Sequence, residues 1–421
     1  MKRAIVLMII TGINIVAVFI YQWYILAVLG AGSQSDALFA SMVLPQLILN
    51  VVSGSLSFVL VPMLATIDAH KFNGETSNFL AAFGILFCVV ALLLFLTAQY
   101  WVPLTVPGFV ISAKELTVSL ARIQLIGMIF TGLGAVPTAA YQARHQFRYP
   151  ASAATFASVL ALGVLVIALP RYGVKAAAWG LSLRAFLQFA FQLPITLPLV
   201  RPDFGDKGFH NALVKLRPLI LGTTYFKTDQ LVDRVLVSMA PAGMLSLLHL
   251  SQQMYAAAAQ VVATAIVAPT VPIQAGNASR DDQGAFRRKM MLTLKVLLLL
   301  GALVFALIVF PGLYVFKFMF GHGVLKQGEI RDLWLIMMAL GGFWIAGLSG
   351  QILSVSFYAM SDTTTPTKIG AIGFTLGIGL KAVGFFLFGV LGVAIGSGLY
   401  SVFNSLAMYW ILNKRLSARL V

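Results

Sequence analysis

The chain has 421 residues, 60% of them hydrophobic and only 10% charged, where a soluble domain carries about a quarter. That balance excludes a soluble globular protein and predicts an integral membrane protein. The net charge of +16 falls mostly between apolar segments, so it reads as membrane orientation rather than as a nucleic-acid surface. A single cysteine, Cys88, and five scattered histidines exclude a disulfide framework and give no metal-ligand spacing.

Met1-Lys2-Arg3 opens an apolar run that continues to about Leu29. The run is longer than a signal-peptide core and carries Asn14 and Gln22, so it is expected as a retained first helix. Apolar length predicts about twelve spans in all, over 4–29, 36–67, 76–100, 114–142, 150–169, 175–199, 215–240, 243–274, 290–316, 331–360, 367–388 and 390–413. Gly, Pro and charge clusters mark the main connections between them.

The second span is unlike a lipid-facing helix. It follows the Gly30-Ala31-Gly32 turn and Asp36, and it carries Pro45, Gln46, Asn50, Ser53 and Pro62. Polar side chains and helix breakers persist at membrane depth where they face protein or a wet cavity; a tightly packed small-residue helix is the plainer alternative. A counterpart lies over 241–275. A shift of 210 positions sets Val61-Pro62 on Val271-Pro272, Ser41 on Ser251 and Asn50 on Gln260. Tyr141–Pro150 resembles Tyr358–Pro366, and Tyr172–Gly180 resembles Phe388–Gly396, at a slightly larger shift. Three matches in one order point to an internal duplication. The expected fold is therefore all-α and membrane-embedded, with pseudo-symmetric six-helix lobes over 1–208 and 209–421 around a central cavity.

Lys and Arg are distributed unevenly. With the N-terminus inside, Lys2, Arg3, Lys71, Arg144, Arg148, Arg201, Lys207, Lys215, Arg217, Arg280, Arg287, Arg288, Lys289, Lys295, Lys368, Lys414, Arg415 and Arg419 fall on the cytoplasmic side. Only Lys114, Arg171, Lys175, Lys317, Lys326, Arg331 and Lys381 fall on the other, so both termini are expected in the cytoplasm. Arg122, Arg184, Lys227 and Arg234 fall inside spans, together with Asp229 and Asp233. Charges at that depth cost several kcal/mol and are expected to line a cavity or pair with one another. At about 100° per residue, Lys227, Gln230 and Arg234 share a face, with Asp229 and Asp233 roughly opposite. The basic stripe suits an anionic ligand. The acids are candidates for ion coupling, with a structural ion-pair network as the alternative. Arg184, Gln188 and Gln192 form a polar ladder, and His249, Gln252, Gln253, Tyr255 and Gln260 populate the eighth span. Amides both donate and accept, which suits sugar hydroxyls, and they also serve as interhelical glue. His249 is expected as a packing residue.

Several of these segments resemble the lipid II flippase family, MurJ/MviN, of the multidrug/oligosaccharidyl-lipid/polysaccharide exporter superfamily. The resemblance is carried by Gly30-Ala-Gly32, Asp36-Ala-Leu-Phe39 and Leu44-Pro-Gln46, by Phe318-Met-Phe-Gly-His-Gly323, and by Phe357–Pro366. It implies two six-helix lobes around a cavity that opens alternately to either side. It also implies a place in the bacterial cytoplasmic membrane and a lipid-linked saccharide as cargo. Members typically have two further C-terminal helices, and their first helix usually brings arginines to the lipid-linked pyrophosphate. Here no arginine lies between Arg3 and Arg122, and Ile48-Leu49-Asn50 stands where the family has Leu-Arg-Arg. Phosphate recognition relies on Arg or Lys donors. The expected substrate site is therefore Lys227, Arg234 and Arg184 with Asp36, and Gln46, Asn50, Gln252 and Gln253 on the sugar.

The leading expectation is a flippase for a lipid-linked saccharide, of lipid II type or a polysaccharide or O-antigen precursor. No Walker A motif is present. No cofactor is expected, and a sodium or proton gradient or the membrane potential is expected to drive transport. An ion-coupled multidrug antiporter of the same superfamily and a non-transporting membrane scaffold are the alternatives. No paired carboxylates, nucleophile–base set or metal cluster suggests an enzyme.

Overall fold

The computed structural model describes residues 2–205, 209–212, 214, 216, 220, 224, 225, 227–279 and 282–418. Much of the first half of the span expected over 215–240 lies outside the described residues. All regular structure among the described residues is helical, and nine helices are long and apolar enough to cross a membrane. By internal contacts the chain forms two compact units, Met1–Ala242 and Gly243–Val421.

In the first unit the helix Ile111–Ala143 is the hub. It packs against Ser33–Ser41, Val43–Thr66, Ala69–Thr105 and Val174–Gln192. Small residues permit the approach: a Cβ on Gly132 would come within 2.3 Å of the Phe87 ring, and one on Gly127 within 3.0 Å of the Ser182 hydroxyl. Phe79, Phe83 and Phe87 recur every four residues, so they share one helix face. All three are buried in a core with Leu56, Leu60, Leu64, Leu125 and Phe209. The opening helix, Lys2–Leu29, packs on Arg148–Tyr172. The polar residues that mark it in the sequence have structural work here. Ser158 Oγ donates to Asn14 Oδ1 at 2.7 Å, and Tyr21 donates its hydroxyl to the Ala177 carbonyl at 2.8 Å. Gly180 has to be glycine for that contact, because a Cβ there would fall 2.2 Å from the Tyr21 oxygen.

The second span divides at Met42, between Ser33–Ser41 and Val43–Thr66, three residues before Pro45. Gly30 takes φ 74°, a left-handed conformation open to glycine. Ser35 then accepts from the Gly32 N–H at 3.0 Å and donates to the Gly30 carbonyl at 2.9 Å, fixing the start of Ser33–Ser41. Its counterpart in the second unit is also irregular. Met244–Val262 passes through a π turn, Ala263–Val267, into Ala268–Ser279, which contains Pro272. π turns of this kind frequently accompany functional sites.

In the second unit Tyr255 anchors the packing. Its hydroxyl donates to the Met337 carbonyl at 2.8 Å, and its ring stacks on Trp344 at 5.2 Å between centroids. Trp344 Nε1 in turn donates to the Gly301 carbonyl at 3.1 Å. The span expected over 290–316 is shorter than its apolar run: Gln283–Val309 stops before Pro311, and Gly312–Phe320 is a separate helix. Proline cannot continue the hydrogen-bond ladder, which accounts for the break.

The last helical stretch, Thr364–Ala418, is two antiparallel helices joined at Gly389, whose φ is 60°. That break separates the spans expected over 367–388 and 390–413. The hairpin closes along a glycine seam. A Cβ on Gly392 would fall 1.8 Å from the Gly384 carbonyl oxygen, one on Gly377 would fall 2.8 Å from the Tyr400 ring, and one on Gly373 would fall 1.7 Å from Asn404 Oδ1. Lys381 corrects an expectation. It is not a basic residue at the non-cytoplasmic membrane edge but lies inside this hairpin at 0% exposure.

The loop before the hairpin is tied by Asp362. Its carboxylate accepts from the backbone N–H of Thr364 and Thr365, from both threonine hydroxyls, and from Arg415. Burial alone would raise the pKa of Asp362, but the hydrogen bonds from Thr365, Arg415 and Thr364 outweigh it and hold the carboxyl well below the usual carboxylate range.

Two predictions follow from these contacts. Gly392→Ala lowers the melting temperature of the detergent-solubilised protein, with a cost of about 1–3 kcal/mol. Gly379→Ala leaves it unchanged, because nothing lies within 4 Å of a Cβ at that position. Equal melting of the two variants contradicts the seam. Asp362→Ala also melts earlier than wild type at neutral pH. Because the folded carboxyl titrates below its unfolded value, its contribution is complete above about pH 4 and declines as pH falls further. The gap between variant and wild type therefore narrows on acidification below that point, and a constant gap contradicts the account.

Candidate substrate site

Several of the expected site residues in the first unit lie on or beside the helix Asp229–Val237, which packs against Val43–Thr66 and Ala69–Thr105. The loop before Ile111 steadies its end: the Gly108 N–H donates to Ser238 Oγ at 3.3 Å, and a Cβ on Gly108 would fall 2.4 Å from Met239 Cα.

Arg234 is buried, with 3% exposure, and the carboxylates of Asp233 and Asp36 both act on it electrostatically. Asp36 is itself buried, in the first turn of Ser33–Ser41, where the helix dipole favours a carboxylate. The sequence periodicity put Asp233 on the face opposite Arg234. The structure instead has the acid act on the neighbouring guanidinium, because charges on adjacent residues interact through a dry medium whatever their helical angle. Arg234 is thus held by acids of its own unit.

Lys227 is half-buried, and its ammonium donates to the backbone carbonyl of Asn50. That contact joins the seventh span to the polar part of the second. The Asn50 side chain is exposed and Gln46, one turn before it, is half-buried, so both amides remain accessible beside the ammonium. Asp229 is half-buried at the start of its helix.

Arg184 belongs to a different neighbourhood. It is half-buried on Val174–Gln192 and is an electrostatic neighbour of Tyr21 on the opening helix, and its Nε is buried without a hydrogen bond. Gln22, beside Tyr21, is buried with an unbonded Oε1. So where the family resemblance leads one to expect first-helix arginines, this chain sets Tyr21 and Gln22, with Arg184 supplied from another helix. Gln192 has left the expected ladder for structural work: its Oε1 accepts from Thr138 at 2.7 Å. Arg122, also expected inside a span, donates to the Phe95 carbonyl at 3.4 Å and covers the Phe95 ring at 5.1 Å.

In the second unit Gln252 and Gln253 are half-buried side by side on Met244–Val262, and His249 is buried one turn earlier. The residue that sequence reasoning placed wrongly is Lys381. Apolar sequence flanks it on both sides, through Phe374 and Leu380 and through Phe385 and Val393, but that alone does not tell a buried lysine from one at a membrane edge.

A chain of this kind, with many spans and charges held inside helical units, has close structural relatives. A solved structure of lipid II flippase MurJ in an inward closed conformation superposes with a TM-score of 0.85 at 18% identity, covering 97% of this chain and 87% of that one. An inward-facing multidrug resistance MATE family transporter of the MOP superfamily superposes with a TM-score of 0.79 at 15% identity, covering 99% and 98%. These likenesses define the class: the fold is that of the MOP membrane transporters. The sequence is more specific. The lipid II flippase MurJ family model matches residues 25–420, and the chain belongs to that family. Relatives include the probable lipid II flippase MurJ of Buchnera aphidicola, 23% identical over all of this chain and 84% of its own length. The lipid II flippase MurJ of Burkholderia cenocepacia is 24% identical over 92% of this chain and 78% of its own.

The grouping of Asp36 with Arg234 is testable by a double-mutant cycle. Asp36→Ala and Arg234→Ala each lower the melting temperature, and the double variant loses less than their sum, with a coupling of about 0.5–3 kcal/mol. Additive losses contradict the pairing.

Proposed function

We propose that this protein is a flippase that moves a lipid-linked saccharide of lipid II type across the bacterial inner membrane, with both termini in the cytoplasm. The observation that carries this reading is the family match over residues 25–420. The chemistry of the chain supports it. A polyprenyl pyrophosphate headgroup needs Arg or Lys donors, and the first unit supplies Lys227 and Arg184 in half-buried positions. Lys227 holds its ammonium on a backbone carbonyl, a contact that a phosphate oxygen displaces at little cost because it replaces a neutral acceptor with a charged one. Gln46 and Asn50 are the candidates for sugar hydroxyls in the first unit, and Gln252 and Gln253 those in the second. Arg234, engaged by Asp36 and Asp233, ties the seventh span to the start of the second. The lipid tail stays in the bilayer.

The reaction is transport and breaks no covalent bond of the cargo. A sodium or proton gradient or the membrane potential drives it, with Asp229 and Asp233 as coupling candidates in the first unit.

The test is translocation of fluorescent lipid II by the purified protein in vesicles. Wild type moves it between leaflets. Lys227→Ala and Arg184→Ala, with melting temperatures near wild type, each slow it about tenfold or more, as loss of one charge-assisted hydrogen bond requires. Unchanged transport in Lys227→Ala removes that residue from the site, and no transport by wild type overturns the function.

A further inference from the structure

The second unit carries a groove that the transport reading leaves unused. Gln283–Val309 packs on Gly341–Ala359. The hairpin's second arm packs on the same helix, with Ser405 donating to the Ala346 carbonyl at 2.8 Å. Between these two walls lies a slot of about 400 Å³. Its floor is the buried Ala346, Ser349 and Leu353, and its rims are the exposed Leu298 on one wall and Val402 and Leu406 on the other. Small side chains on the floor leave the hollow. The hydroxyls inside it are already used, since Ser349 donates to the Ile345 carbonyl at 2.9 Å and Ser405 to that of Ala346. Over most of its length the slot therefore fits a hydrocarbon chain and offers nothing to a sugar.

One end differs. Lys295 and Tyr409 line it, and beyond them the walls are tied together by Arg287 Nη2, which donates to Asn413 Oδ1 at 3.1 Å. Helical side chains lean toward the N-terminus of their own helix, so the Lys295 ammonium reaches back toward the turn that carries Arg287, Arg288 and Lys289. Long basic side chains use that reach to bring their charge to the headgroup layer while their stems stay on apolar surface. The other cations at this end have named partners: Arg287 has Asn413, Arg415 has Asp362, and Lys414 covers the Trp410 ring at 5.5 Å. Lys295 has no hydrogen bond or ion pair among the described residues. A basic end on an apolar slot between spans is the pattern that recognises an acidic lipid headgroup.

We propose that this slot binds one anionic glycerophospholipid of the phosphatidylglycerol kind. Its phosphate sits on Lys295 and the Tyr409 hydroxyl, and one acyl chain lies over Ala346 and Ser349. In the orientation proposed above, the lipid comes from the cytoplasmic leaflet. A zwitterionic lipid brings a cation of its own, which Lys295 and the neighbouring arginines repel. The lipid joins Gln283–Val309 to the hairpin's second arm below the Arg287–Asn413 bond, so its binding stabilises the second unit. The inference does not depend on the flippase reading.

The experiment is native mass spectrometry of the full-length protein in detergent. Phosphatidylglycerol, phosphatidylcholine with the same chains and a polyprenyl monophosphate are offered separately and in competition. Wild type retains one phosphatidylglycerol about tenfold better than phosphatidylcholine, as one charge-assisted hydrogen bond provides, and salt narrows the difference. Lys295→Met, melting as wild type does, loses the difference. Ser349→Leu fills the floor of the slot and lowers phosphatidylglycerol retention with Lys295 still present. Equal retention of the two phospholipids by wild type is ordinary lipid contact and overturns the proposal, as does a preference that survives in Lys295→Met. Displacement of phosphatidylglycerol by an equal concentration of polyprenyl monophosphate assigns the slot to a prenyl tail and overturns it too. If neither variant folds, wild type decides the matter with a phosphatidylglycerol whose acyl chain is photoreactive. Labelling within 291–298, 345–353 and 402–409 supports the site, and labelling confined to other segments overturns it.

Discussion

The structure depends on one constraint. In hydrocarbon there is no water to answer a charge or a backbone group, so each must be answered from within the protein. The four basic residues expected inside spans of the first unit each have a neighbour among the described residues. Arg234 has Asp36 and Asp233, Lys227 has the Asn50 carbonyl, Arg122 has the Phe95 carbonyl and ring, and Arg184 has Tyr21. The contacts of Arg234 with Asp36, of Lys227 with Asn50 and of Arg184 with Tyr21 cross between helices far apart in sequence. They therefore fix which helices are neighbours as firmly as the apolar packing around Phe79, Phe83 and Phe87 does.

The same constraint divides the basic residues by role. Arg234 is fully buried against two acids and acts as a structural centre of charge. Lys227 rests on a neutral carbonyl, the weakest of these partners, and is the one most readily turned toward an anionic headgroup. Arg184 lies beside Tyr21 and keeps a buried Nε without a hydrogen bond. Interior basic residues thus stand on the sixth and seventh spans, where the family resemblance leads one to expect them on the first.

Much of this was legible in the sequence. Long apolar runs are enough to predict spans, because the bilayer sets their length. Pro272 marked the irregular helix of the second unit, and Phe388-Gly389 marked the hairpin turn. The segment 312–320 was absorbed into its neighbour because an apolar run carries no sign of a break unless Pro311 is weighed against it. What could not be read was pairing. Asp36 and Arg234 each stood out as intramembrane charges, but nothing in a linear sequence joins residues so far apart. The placement of Lys381 failed for a related reason. Lysines near span ends are usually interfacial, and only the register of the glycine seam shows that this one points into the hairpin.

The central claim is that the interior charges recognise the pyrophosphate of a lipid-linked saccharide while the tail remains in lipid. Native mass spectrometry of the detergent-solubilised protein measures this most directly, with lipid II, the matching polyprenyl alcohol and inorganic pyrophosphate as separate ligands. The account predicts binding of lipid II that weakens with salt and falls in Lys227→Ala, with little retention of the uncharged polyprenol. Equal retention of lipid II and polyprenol, insensitive to salt and to Lys227, would contradict it.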